Sequence, residues 1–268
     1  MKTLSKLINA VSFENALEKN SMHRIYENLN GTGKEVIPKS LKVYILAAFS
    51  WSICLISGLK GAGFPITASI IILGIFIGFI RSKRYFKDAA YTIAVYLITQ
   101  TAVLFFFSVW MPWENPDMIG TYAILYILFG YGLSFYIIRI RLIENIQINY
   151  LIKDGKLIRK RKTIKILKIV AVILGLALVV AIWVTRFYTI SSDWWNSSNN
   201  YDYSYDSLVG TVLYVFSSFI AFANLALFTL FPTSLLKTSV VLDGFIYKKY
   251  SEEFRKEYEF TEKEWYGE

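Results

Sequence analysis

The stretch FPITASIIILGIFIGFIRSKRYFKDAAYTIAVYLITQ, Phe64 to Gln100, sets two long apolar runs on either side of a short basic knot. The first run, Ala62 to Ile80, carries no charged residue and approaches the ~20 residues a helix needs to cross bilayer hydrocarbon. The second, Ala89 to Met111, is equally free of charge. All the charge between them lies in RSKRYFK, Arg81 to Lys87, and Asp88. That is the pattern of a membrane hairpin with a basic connector.

Working outward, the same pattern recurs. Apolar spans are predicted at about 43–59, 62–80, 89–111, 119–138, 166–184 and 208–231. The composition agrees. Hydrophobic residues make up 55% of the 268 and charged residues 18%, where a soluble domain carries about 45–50% and about 25%. The predicted fold is an all-α integral membrane protein with six transmembrane helices in three hairpins. Residues 1–42 form an amphipathic, interfacial or cytoplasmic N-terminal segment, 43–232 the membrane domain and 233–268 a cytoplasmic tail.

Orientation follows from the basic residues, since cytoplasmic loops hold the excess of Lys and Arg. Threading six spans alternately puts 27 of the 29 Lys and Arg on one side and leaves only Lys60 and Arg186 on the other. Both termini are therefore expected in the cytoplasm, and the chain in a plasma membrane. The abundance of Ile, Lys, Tyr and Asn suggests an AT-rich, bacterial genome.

The terminal segments are polar but patterned. Leu4, Leu7, Ile8, Val11 and Leu17 recur at helical spacing, which predicts an amphipathic helix on the membrane surface or against the bundle. No apolar h-region follows the start, so a secretory signal peptide is not expected. The GTGK of Asn28 to Glu35 lacks the first Gly and the closing Ser or Thr of a phosphate loop and reads as a turn. In the tail, Tyr247, Tyr250, Phe254 and Tyr258 predict a helix that docks on a partner, on the membrane, or back on this protein's own loops.

Candidate functional residues fall in three places. The segment SSDWWNSSNNYDYSYDS, Ser191 to Ser207, is outside by the charge count and holds no basic residue. Its Trp194, Trp195, Tyr201, Asp202, Tyr203, Tyr205 and Asp206 are the residue types of adaptable binding surfaces and are expected to bind a protein partner. The same rings also suit the headgroup level, and the acidic spacing does not match a calcium loop. Within the spans the polar candidates are the amides Gln100 and Asn224, for which interhelical hydrogen bonds are expected. The run Arg159, Lys160, Arg161 and Lys162 next to the fifth span is expected to meet anionic lipid. Small residues four apart, Gly74 with Gly78 and Gly130 with Ser134 among them, are expected to let helices approach.

Several function classes are disfavoured. The single histidine, His23, and single cysteine, Cys54, leave no material for a metal site, a disulfide or a catalytic triad. No cofactor is expected, and no nucleic-acid motif accompanies the net charge of +9. The middles of the spans hold no Asp, Glu, Lys, Arg or His, unlike an ion-coupled transporter. The expectation is a non-enzymatic, partner-binding membrane protein, such as an immunity protein against a membrane-acting toxin or an accessory subunit of a membrane complex. The alternative is a permease subunit of an ABC-type exporter, whose six-span layout this chain resembles in topology only. A permease would meet its ATPase through the Arg81–Lys87 loop.

Overall fold

The computed structural model describes residues 4–30, 37–57, 63–110, 119–151 and 230–267. The chain divides into a unit made of 1–154 with 229–268 and a second unit of 155–228. All of the described residues belong to the first. The expected fifth span, most of the sixth and the connector beyond residue 151 lie outside the described residues.

Every described element is helical: α1 (Leu4–Ala10), α2 (Phe13–Lys19), α3 (Met22–Asn30), α4 (Lys39–Ser57), α5 (Gly63–Ile80), α6 (Lys87–Trp110), α7 (Ile119–Ile146), α8 (Thr238–Lys249), α9 (Ser251–Glu257) and α10 (Glu262–Tyr266). A single 3₁₀ turn, Arg84–Phe86, leads into α6, and α7 runs on as a π-helical turn, Gln147–Leu151. Three stretches are long and apolar enough to cross a membrane: Gly63–Ile80, Arg84–Ser108 and Ala123–Leu151. An 18-residue helix is about 27 Å long, close to the hydrocarbon thickness. Of the expected six spans in three hairpins, the described residues show an all-helical chain with three helices long and apolar enough to cross a membrane.

The fourth run extends further than its apolar stretch suggested. Arg139, Arg141 and Glu144 lie within α7 rather than in a connector. No Gly or Pro interrupts there, and Ile138, Leu142 and Ile146 keep the four-residue spacing of a buried face. The N-terminal segment differs in the other sense, forming three short helices instead of one. Ser12 stops the first and caps the second, its Oγ accepting from the Asn15 N–H at 3.3 Å. The chain then folds back so that Leu7, Val11, Ala16, Ile25 and Leu29 are all buried.

Those N-terminal helices pack with α8–α10, the Tyr85 end of α6 and the last turns of α7 around one continuous core. We call this assembly the cap. α8 crosses α6 closely at Gly244, where a Cβ would stand 2.5 Å from the Ala89 Cβ and 3.1 Å from the Phe86 ring. Only glycine permits that approach. Away from the cap, α4 and α5 pack on α6 and on each other. They turn Tyr44, Ile45, Phe49, Ile66, Ile70 and Leu73 outward.

Candidate functional site

The outer-segment candidates, Trp194 to Asp206, lie outside the described residues, as do Arg159 to Lys162 and Asn224. Gln100 is fully buried on α6. Between α6 and α7, interhelical hydrogen bonds are made by hydroxyls. The Tyr96 and Ser134 hydroxyls are 2.6 Å apart, and those of Thr101 and Tyr131 2.7 Å. Gly130 and Ser134 are both buried, and Ser134 lies in this seam. Gly74 and Gly78 are not: a Cβ on either would meet nothing within 4 Å.

The structure brings together a polar cluster that the spacing of apolar residues did not reveal. At its centre is Asp243 of α8, 4% exposed. One carboxylate oxygen accepts from the Tyr150 hydroxyl at 2.5 Å, the other from the Arg24 guanidinium at 2.5 Å. Asn20 extends the network. Its Nδ2 donates to Tyr150 Oη (3.3 Å) and to Ala16 O (2.9 Å), and its Oδ1 accepts from Tyr247 Oη (2.9 Å). The Asn20 backbone carbonyl accepts from Tyr258 Oη (2.8 Å), and Asn28 Nδ2 donates to Tyr247 Oη (3.2 Å). Three segments far apart in sequence supply one connected set of donors and acceptors. Such networks stabilise only when every member is partnered, as here.

Burial pushes the Asp243 carboxyl above its ordinary range, while the Tyr150 hydroxyl and Arg24 pull it back. Burial likewise raises the Tyr247 phenol, and the carboxylate of Asp243 adds to the shift. The ion pair is asymmetric: the Asp243 side chain is 6% exposed and that of Arg24 40%. A half-solvated guanidinium closes a buried carboxylate, which makes the pair a clasp between α3 and α8.

Two further contacts seal the cap. Lys249 Nζ donates to the carbonyls of Ile8, Asn9 and Val11 at 3.2, 3.0 and 2.8 Å. An ammonium there satisfies carbonyls that a helix end leaves open. Tyr250 Oη donates to Val11 O at 2.6 Å as well. At the other edge, Trp265 is fully buried, its ring stacked on Tyr85 (5.6 Å between centroids) and on Phe260 (5.7 Å). Its indole N–H donates to Ser251 Oγ at 2.7 Å. Thr261 and Glu264 close a capping box at the start of α10, and Gly267, at φ 82°, ends that helix against Arg84.

The RSKRYFK loop is therefore engaged by the chain itself. Tyr85 stacks on Trp265, Phe86 packs on Phe245 (5.8 Å) and Lys83 stands 4.6 Å above the Tyr266 ring. Arg84 Nε donates to Leu29 O (3.1 Å), and Lys87 Nζ to the carbonyls of Phe79 (2.8 Å) and Ile80 (3.3 Å) at the end of α5. Of the alternatives for the tail, docking on its own loops is the one the structure contains. Aromatic spacing pointed to Tyr247, Tyr250 and Phe254. The missed signal is an acidic residue, Asp243, set between Leu242 and Ile246 on an otherwise apolar helix face.

Chemically, the cluster ties the N-terminal helices, the end of α7 and the tail together. Its carboxylate is saturated by donors, and among the described residues no group of three His, Cys, Asp or Glu could hold a metal ion. Compared with family models, curated proteins and solved structures, this chain matches none of them.

Proposed function

We propose that this protein is a non-enzymatic, multi-pass plasma-membrane protein that acts by binding a partner. An immunity protein against a membrane-acting toxin and an accessory subunit of a membrane complex are the two forms of that role. The observation that carries the choice over a permease subunit is the occupancy of the Arg81–Lys87 loop. A permease must offer such a loop to its ATPase, whereas here its Tyr85 and Phe86 are taken up by α10 and α8 through stacked rings and a glycine-tight crossing. The surface left for a partner is then on the other side, where Trp194, Trp195, Tyr201, Asp202, Tyr203, Tyr205 and Asp206 belong by the charge count.

Convergence in the cap supports the assignment of sides. The N-terminal helices, the 81–87 loop, the end of α7 and the tail meet at one end of the helices, and these are segments that carry the basic excess. Both termini on that side means both in the cytoplasm.

The test is a mild-detergent pull-down of the full chain from its native host, with crosslinking and mass spectrometry. The expected result is a secreted or membrane protein crosslinked within residues 194–206, with protection of cells from a toxin if the partner is one. Stoichiometric recovery of an ATPase crosslinked to the 81–87 loop overturns the proposal in favour of the exporter.

A further inference from the structure

The end of α7 carries a feature that the Asp243 cluster uses but does not by itself explain. Gln147–Leu151 is a π-helical turn, although no Gly or Pro stands in QINYL to break an α-helix. Each four-residue step of an α-helix overshoots a full turn by about 40°. The buried residues Ile138, Leu142 and Ile146 therefore drift around α7, and an α-helix carried on from there would set Tyr150 about 120° from Ile138. A π turn bonds i to i+5, fits more residues into each turn and brings Tyr150 back toward that stripe. There Tyr150 is buried.

What holds the wider turn is tertiary. The Tyr150 hydroxyl donates to Asp243 and accepts from Asn20 Nδ2, and the Tyr150 carbonyl accepts from Asn15 Nδ2 at 3.3 Å. None of these three partners lies on α7. Without them the turn falls to the commoner α register, since π turns are rare and persist where their surroundings support them. The register also decides which side chains face out. In the α register Leu151, half-buried in the π turn, would swing outward by about a quarter turn, and Asn149 would swing toward the core. Ile148, exposed in the π turn, would stay outside.

We propose that Gln147–Leu151 is a two-state register element, π-helical while the cap holds Tyr150 and α-helical once the cap releases it. Opening of the cap is thereby converted into a rotation of the chain at the end of a helix long and apolar enough to cross a membrane. The polar N-terminal helices and the tail both bear on that one turn, through Asn15, Asn20 and Asp243. The device is independent of which partner the protein binds.

The test is cysteine labelling of the full chain in lipid nanodiscs with a water-soluble maleimide, on a Cys54→Ser background that removes the one native thiol. Asn149→Cys and Leu151→Cys are each compared with and without Tyr150→Phe, which keeps the ring and removes the hydroxyl. The ratio of the Leu151→Cys rate to the Asn149→Cys rate should rise about fivefold, the worth of one hydrogen bond. Plain loosening of the cap would raise both rates and leave that ratio level. Asp243→Ala frees the same hydroxyl without touching the turn, should move the ratio in the same direction, and carries the test if Tyr150→Phe does not fold. A ratio that stays level or falls in either folded variant overturns the proposal, whether both rates rise together or neither changes.

Discussion

Gly244 and the pair Gly74 and Gly78 show how differently two regions of one chain are held. At Gly244 a single added carbon collides with Ala89 and Phe86, whereas at Gly74 and Gly78 it reaches nothing. The cap is stabilised as a soluble domain is, by side chains removed from water and by paired polar groups. The α5 helix is 17% buried, against 56% for the Arg84–Ser108 stretch, and exposes Ile66, Ile70, Leu73 and Ile77. Helices in hydrocarbon gain nothing from hiding apolar side chains, so their association rests on close packing and interhelical hydrogen bonds. The seam between α6 and α7 has both, and the outer face of α5 has neither.

This contrast breaks first at Trp265. Replacing a buried aromatic by alanine costs about 3–5 kcal/mol, and Trp265→Ala also leaves Tyr85 and Phe260 facing a void. Tryptic cleavage in the tail, at Lys256 and Lys263, should accelerate by more than about a hundredfold in the detergent-solubilised protein. Unchanged cleavage would mean that α10 does not hold the cap shut. Gly244→Ala comes next. The Ala89 Cβ is fixed to its backbone, so α8 must move, at about 1–3 kcal/mol. The same assay should register it, at a smaller acceleration than Trp265→Ala. Lys249→Met should cost about 1–2 kcal/mol, since it strips three carbonyls of their shared donor. Its signature is cleavage in the N-terminal helices at Lys6 as well as in the tail, because Lys249 ties the two together.

The apolar runs made the three long, apolar helices legible, because an uninterrupted charge-free run of membrane-crossing length shows in the sequence whatever else the chain does. The cap was legible only in part. The spacing of Leu4, Leu7, Ile8 and Val11 correctly marked a face that is buried, but the break at Ser12 depends on a side-chain cap that apolar periodicity overrides on paper. The Asp243 cluster was hidden for a different reason. Its partner Arg24 is 219 residues away, and whether a carboxylate on a helix is solvated or clasped depends on what the chain brings to it. Gly74 with Gly78 and Gly130 with Ser134 carry the same four-residue spacing, yet the second pair is buried and a Cβ at either member of the first would meet nothing. Spacing gives a helix face, and only the fold says what lies opposite it.

The clasp itself gives a smaller, pH-dependent effect. With its carboxyl raised by burial, folded Asp243 keeps its proton to a higher pH than the unfolded chain does. The cap therefore loses stability as pH rises from the ordinary carboxylate range, near 3.9, to the raised value. Asp243→Asn removes that slope. Tail cleavage rates measured from pH 4 to 7 should favour wild type most at the acid end, with its advantage over Asp243→Asn shrinking as pH rises. An advantage that grows with pH would mean that Arg24 outweighs burial and that the clasp works as an ion pair.

The smallest effect should come from the opposite pole of the comparison. Gly74→Ala adds a carbon where nothing is within reach and improves helix propensity by up to about 1 kcal/mol. Thermal stability of the solubilised protein should stay level or rise slightly, and tail cleavage should not change. A clear loss instead would mean that something packs on this face in the membrane after all, since neither propensity nor any described contact could account for it. The sign at Gly74 decides whether α5 is solvated by lipid or by protein, and the same substitution at Gly244 can only destabilise. One residue type tested at two sites separates a region whose packing is complete from one that leaves its outer face to the bilayer.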